Sequence, residues 1–151
     1  MNRTTPVKRM TIFCRNIERS LKLYRDILKF EIAEEKTVMG SEMANMVALD
    51  DCVMRICHLR SHDSENGLIG LYEISGAEVT EAPRPTPGKI HYGQTALVVY
   101  TDQLSRIYAD LAADGYVFLT PPTKYVRNGT TEMVFYDPDG VLVSITGHGE
   151  A

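Results

Sequence analysis

The chain has 151 residues, 44% of them hydrophobic and 24% charged, with a formal net charge of −4. That is enough for one domain with a sizeable core, or for two small halves sharing one. The acidic balance and scattered basic residues argue against a nucleic-acid surface, which needs a basic excess.

In chain order, residues 10–14 form a short apolar strand with Arg9, Thr11 and Phe13 on one face and Met10, Ile12 and Cys14 on the other. Asn16 is placed to cap a helix in which Ile17, Leu21, Tyr24 and Leu28 recur at helical spacing, with Glu18, Arg19, Lys22 and Arg25 opposite. A strand is predicted at 30–38, and 44–49 fits either a short strand or a loop. Asp50 and Asp51 turn into a strand at 53–60, and after a polar loop at 61–67 a strand at 68–74 closes the half. Residues 76–88 hold Pro83, Pro85 and Pro87 without apolar periodicity and read as a linker.

The order then repeats. A strand at 95–100 precedes a helix capped by Thr101 or Asp102, with Leu104, Ile107, Tyr108 and Leu111 as its buried stripe and Gly115 as a left-handed end. A strand at 116–119, a loop at 120–129 and a hairpin of 131–136 and 141–146 complete it. Asp137-Pro138-Asp139-Gly140 suits a type I turn at the hairpin tip. The expected fold is α+β: one domain of two βαβββ modules, about 7–75 and 89–147.

Cys14, Cys52 and Cys57 have no C-x-x-C spacing and lie in apolar stretches. They read as reduced core thiols of a cytoplasmic protein, with a reactive Cys57 or Cys14 as the alternative. Residues 1–8 lack the apolar run of a signal peptide, and no stretch approaches membrane-spanning length, so neither secretion nor a membrane partner is expected.

The segments Asn16-Ile17-Glu18-Arg19-Ser20-Leu21-Lys22-Leu23-Tyr24-Arg25-Asp26-Ile27-Leu28 and Phe135-Tyr136-Asp137-Pro138-Asp139-Gly140-Val141-Leu142-Val143 resemble the first helix and closing hairpin of the vicinal oxygen chelate superfamily. That group includes glyoxalase I, extradiol dioxygenases, methylmalonyl-CoA epimerase and the fosfomycin and bleomycin resistance proteins. The resemblance implies two modules pairing their curved mixed sheets around a cleft, helices outside, often as a homodimer. It also implies metal ligands on the first and last strand of each module. Those positions fall here on Arg9, Gly70, Gln94 (or Ala96) and Ser144, a set that cannot hold a metal. No metal and no other cofactor is expected.

On that placement Arg9, Thr11, Phe13, Gly70, Tyr72, Gln94, Tyr136 and Ser144 are the candidate ligand-binding residues, with Ala96, Val98, Leu142 and Thr146 beside them. Such a lining suits a small organic ligand, aromatic or bearing a carboxylate or carbonyl oxygen for Arg9. The alternative for Arg9 is solvent or a pair with Glu132. Gly70 either makes room for ligand near the backbone or relieves crowding by Tyr72.

Glu132 and His58 are the candidate proton-transfer groups, and Glu132 shares a strand face with Tyr136. His91 is a second titratable candidate, while His62 and His148 read as solvated. The loop 121–129, with Lys124, Tyr125 and Arg127, is the candidate lid. Binding of a small molecule and metal-independent isomerase or lyase chemistry both remain open.

Overall fold

The computed structural model describes residues 3–82, 86 and 88–148; Pro83, Pro85 and Pro87 of the expected linker lie outside the described residues. The chain forms two compact units, residues 1–81 and 82–151.

The first unit is a four-stranded mixed sheet in the order β1-β4-β3-β2, built from Arg9–Phe13, Leu68–Ser75, Val53–Arg60 and Glu31–Met39. β1 runs parallel to β4 and the other pairs are antiparallel. One sheet face is covered by helix α1 (Ile17–Leu21), which continues as a π-helical stretch, Lys22–Ile27. The Asn16 side chain accepts a hydrogen bond from Arg19 N at 3.1 Å, so the predicted cap forms. A second tie comes from the sheet: Ile17 N donates to Glu73 Oε2 at 2.6 Å. Ile17, Leu21 and Tyr24 are buried as the periodicity predicts. The wider π turn also brings in Leu23 and Ile27, while Leu28 becomes the half-buried end of the helix.

Residues 44–49 are neither a strand nor a simple loop. A short helix, α2 (Ser41–Asn45), starts after Gly40 at φ 105°, and the turn that follows it holds Ala48 at φ 58°. Ala44 is fully buried against Met54 and Ile56, with Met43, Val47 and Leu49 packed around them. The apolar run is thus spent on packing over one end of the sheet face opposite α1.

The second unit repeats the plan: β5 (Ala96–Thr101), α3 (Leu104–Ala113), β6 (Phe118–Lys124), β7 (Thr131–Tyr136) and β8 (Leu142–Gly147), in sheet order β5-β8-β7-β6. Leu104, Ile107 and Leu111 bury one face of α3, and Met133, Phe135, Val143 and Ile145 form the fully buried sheet layer. Gly115 adopts φ 84° and its N–H reaches Ala112 O, the expected left-handed end. The cap differs from expectation. Gln103 holds the N-cap position without a side-chain bond, while Thr101 Oγ1 accepts from Gln103 N at 3.0 Å.

The strand expected at 116–119 starts at Phe118 and runs on through Pro121 and Pro122 to Lys124. β6 is an edge strand, where a residue without an N–H costs no interior ladder bond, and its register with β7 shifts twice around the prolines. At the hairpin tip Gly140 N donates to Asp137 O, and Asp137 Oδ1 accepts from the N–H groups of Asp139 and Val141.

Among the described residues no helix is long and apolar enough to cross a membrane. All three cysteines are buried and in no disulfide, and burial pushes the Cys57 thiol up to about 11. At neutral pH that group is a protonated core thiol, which speaks against a reactive Cys57.

Candidate functional site

On the first sheet, pairing aligns side chains in rows across the strands. One row is Thr11, Gly70, His58 and Glu34; the next is Phe13, Tyr72, Ile56 and Lys36. Paired residues point to the same face. This is the face opposite α1, since Ile12, Cys57, Leu59, Ile69 and Leu71 fill the other side. Arg9 lies on the same face as Thr11 and Phe13, and all three are exposed.

Gly70 is the centre of this arrangement. A β-carbon there would lie 2.8 Å from Arg9 Cδ, 3.1 Å from Tyr72 Cε1 and 3.2 Å from Thr11 Oγ1. The space is therefore occupied by neighbouring side chains rather than left empty, which is the crowding alternative for this glycine. Arg9 crosses over the aromatic ring of Tyr72, its Cζ 5.9 Å from the centroid. Phe13 meets the same ring edge-to-face at 5.8 Å. The ion pairs among the described residues do not include Arg9.

A hydrogen-bonded chain ends on Tyr72. His58, 7% exposed, has Nε2 3.1 Å from the Tyr72 hydroxyl and Nδ1 2.8 Å from Glu34 Oε2. Lys36 Nζ holds the other oxygen of Glu34 at 2.8 Å. An ionised carboxylate only accepts, so Nδ1 carries the proton it donates to Glu34. In the neutral ring Nε2 is then the acceptor for the Tyr72 O–H. Burial lowers the His58 pKa, the positive charge of Arg9 lowers it further, and Glu34 opposes both. The Glu34 carboxyl is held below its usual range, chiefly by the Lys36 hydrogen bond. At neutral pH Glu34 is therefore a carboxylate and His58 a neutral imidazole, with the Tyr72 hydroxyl at the end of the chain.

Sequence reasoning grouped Arg9, Thr11, Phe13, Gly70 and Tyr72 as candidate ligand-binding residues and kept His58 apart as a proton-transfer candidate; in the first sheet all six share one face. It missed Glu34. On an edge strand whose residues are nearly all exposed, a glutamate looks like a solvated charge. Only the register, displaced between Ile32 and Glu34, sets it opposite His58.

In the second unit, Ser144 pairs with Val98 and Val134, Tyr136 with Leu142, and Glu132 with Thr146, all on the face away from α3. Glu132 and Tyr136 share that face but are four residues apart on one strand, about 13 Å, so they do not meet. Glu132 receives a long contact from Thr130 Oγ1, 3.5 Å. The Gln94 amide is committed to structure, with Nε2 donating to Thr95 O and Gly140 O at 3.2 Å each. His91 and His62 are exposed, while His148 stacks on Tyr100 with centroids 4.7 Å apart. The expected lid is shorter than 121–129, because Pro121 to Lys124 belong to β6; Tyr125 closes the remaining turn with Thr130 and Gly129. A separate groove of about 450 Å³ lies between Leu104, Ser105 and Tyr108 of α3 and Pro121, Pro122 and Lys124 of β6.

The family model described as the Glyoxalase/Bleomycin resistance protein/Dioxygenase superfamily matches residues 7–145. The chain belongs to this superfamily. Solved structures agree in fold. A glyoxalase family protein from Bacillus cereus is 11% identical with a TM-score of 0.82, covering 97% of this chain and 95% of that one. A glyoxalase/dioxygenase from Nostoc punctiforme is 19% identical with a TM-score of 0.66, covering 99% of both. A glyoxalase family protein from Enterococcus faecalis is 16% identical with a TM-score of 0.61, covering 93% and 95%. No curated protein matches the chain.

The residues at the positions where the resemblance puts metal ligands do not fit a metal. Arg9 has no donor lone pair for an ion, Gly70 has no side chain and a longer one there would displace Arg9 or Tyr72, which leaves the Gln94 amide oxygen and the neutral Ser144 hydroxyl, too weak a set to hold an ion. Among the described residues no group of three or more His, Cys, Asp or Glu side chains is arranged to hold one.

Proposed function

We propose that this superfamily member binds, without a metal, a small organic molecule carrying a carboxylate or carbonyl oxygen. Arg9 is the cationic anchor, Phe13 and Tyr72 supply an aromatic wall, and Thr11 adds a hydroxyl. The observation that carries the reading is the convergence of Arg9, Thr11 and Tyr72 over Gly70, with a guanidinium that takes part in no ion pair of the described residues. A planar fork of donors beside aromatic rings suits an aryl-bearing acid. Gln94, Ser144 and Tyr136 are proposed to bind ligand within the second unit, Gln94 through its amide oxygen.

One observation favours a second reading, a metal-independent isomerase or lyase acting by proton transfer: the Glu34–His58–Tyr72 chain reaches the same sheet face. Three buried thiols in no disulfide fit a cytoplasmic protein, and a homodimer is proposed with it.

Native mass spectrometry of the freshly purified protein, with and without added aryl carboxylates and 2-oxo acids, tests the binding reading. The expected result is a metal-free mass with a small acid retained, and Arg9→Ala losing about 10- to 100-fold in affinity, the worth of a charge-assisted bond. A stoichiometric divalent ion, or affinity indifferent to Arg9, contradicts it.

A further inference from the structure

We propose that the phenol of Tyr72 is the acid–base group of this site, with His58 as its proton relay and Glu34 as a positioning residue, acting on a carbon acid next to a carbonyl or carboxylate. The inference rests on the binding reading above and adds to it the class of chemistry. It stands on the geometry of three side chains from three adjacent strands, β4, β3 and β2.

The arrangement has the logic of an activated hydroxyl. Glu34 fixes the His58 ring so that the unprotonated Nε2 faces the Tyr72 hydroxyl, and Lys36 fixes Glu34 in turn. Packing leaves His58 little freedom, since its ring lies 5.8 Å from that of Tyr72, which itself packs on Phe13. The charged and titratable groups that face His58 are Arg9 from β1, Glu34 and Lys36 from β2, and Tyr72 from β4. Their sum, with burial, keeps the imidazole neutral near pH 7 and so able to accept a proton.

The step balances without a co-reactant. The carbon–hydrogen bond of the ligand breaks and its proton goes to the Tyr72 oxygen, while the hydroxyl's own proton passes to His58 Nε2. The electron pair of the broken bond moves onto the ligand oxygen beside the Arg9 guanidinium. The imidazolium so formed lies between Glu34 and Tyr72. Reversal returns a proton to the same carbon or to a neighbouring atom, which gives exchange or isomerisation. A buried tyrosine–histidine pair also serves simply to satisfy two polar groups. What separates the roles is that this chain ends beside Arg9, a cation that takes part in no ion pair of the described residues, at the exposed β1 edge of the face.

The test uses 2-oxo-4-phenylbutanoate, whose carboxylate suits Arg9, whose ring suits Phe13, and whose C3 hydrogens are acidic. The full chain is incubated with it in D2O and deuterium entry at C3 is followed by proton NMR, with affinity and thermal midpoint measured on the same samples. The expected result is enzyme-dependent exchange that falls at least about 100-fold in Tyr72→Phe, with affinity and midpoint little changed. Glu34→Gln, a change on an exposed edge strand, lowers the exchange rate. It also moves the acid limb of the pH profile to lower pH, because the carboxylate that raises the His58 pKa is gone. Binding without exchange, or exchange unaffected by Tyr72→Phe, overturns this inference and leaves the binding reading standing. Failure of the probe to bind at all counts against the binding reading and takes this inference with it.

Discussion

At Gly70 the missing side chain has a structural consequence that can be measured. A β-carbon there meets Arg9 Cδ at 2.8 Å, and Arg9 is the most flexible of the three neighbours. Gly70→Ala is therefore expected to keep the fold, with a thermal midpoint within a few degrees of the parent, because alanine suits a strand at least as well as glycine. Its effect falls on binding: Arg9 leaves the Tyr72 ring, and affinity for an aryl carboxylate drops without loss of folded protein. Calorimetry read against titration separates the two. His58 gives a second prediction at this scale. Its folded pKa lies below the ordinary value of 6.5, so the unfolded chain takes up a proton first as pH falls. Stability contributed by the neutral ring is present above 6.5 and declines between 6.5 and the lower folded pKa. Denaturant midpoints measured from pH 7.5 to 5 should fall in the parent and fall less in His58→Gln.

Among the elements, those with strong local signals were legible and those settled by tertiary packing were not. The α1 cap at Asn16, the β3 bounds and the Asp137–Gly140 turn follow from residue chemistry alone. Asn16→Ala is expected to cost about 1 kcal/mol, the usual value of a cap, lowering the thermal midpoint by roughly 2–4 °C for a chain of this size. The α2 helix was not legible, because its five residues have no amphipathic period of their own and form a helix only against Met54 and Ile56. The β6 extension was hidden for a different reason: two prolines argue for a loop unless the strand is known to lie at an edge. The candidate site shows the same division. Strand alternation placed Arg9, Thr11 and Phe13 on one face, whereas Glu34 needed the register of a bulged pair.

For the whole molecule, the duplicated βαβββ plan and the match over residues 7–145 establish the superfamily, and the fold is shared with proteins of 11% to 19% identity. A scaffold that persists at such identity does not specify chemistry. The chemistry has to be read from this chain's own residues, and the clearest feature is the Arg9 guanidinium over the Tyr72 ring beside Gly70. The most direct measurement is calorimetric titration of chelator-treated protein with 2-oxo-4-phenylbutanoate, repeated after a divalent ion is restored. Metal-free binding on this sheet face predicts the same saturable affinity in both, weakened about 10- to 100-fold by Arg9→Ala. Binding that appears only with the restored ion, or that Arg9→Ala leaves intact, contradicts it.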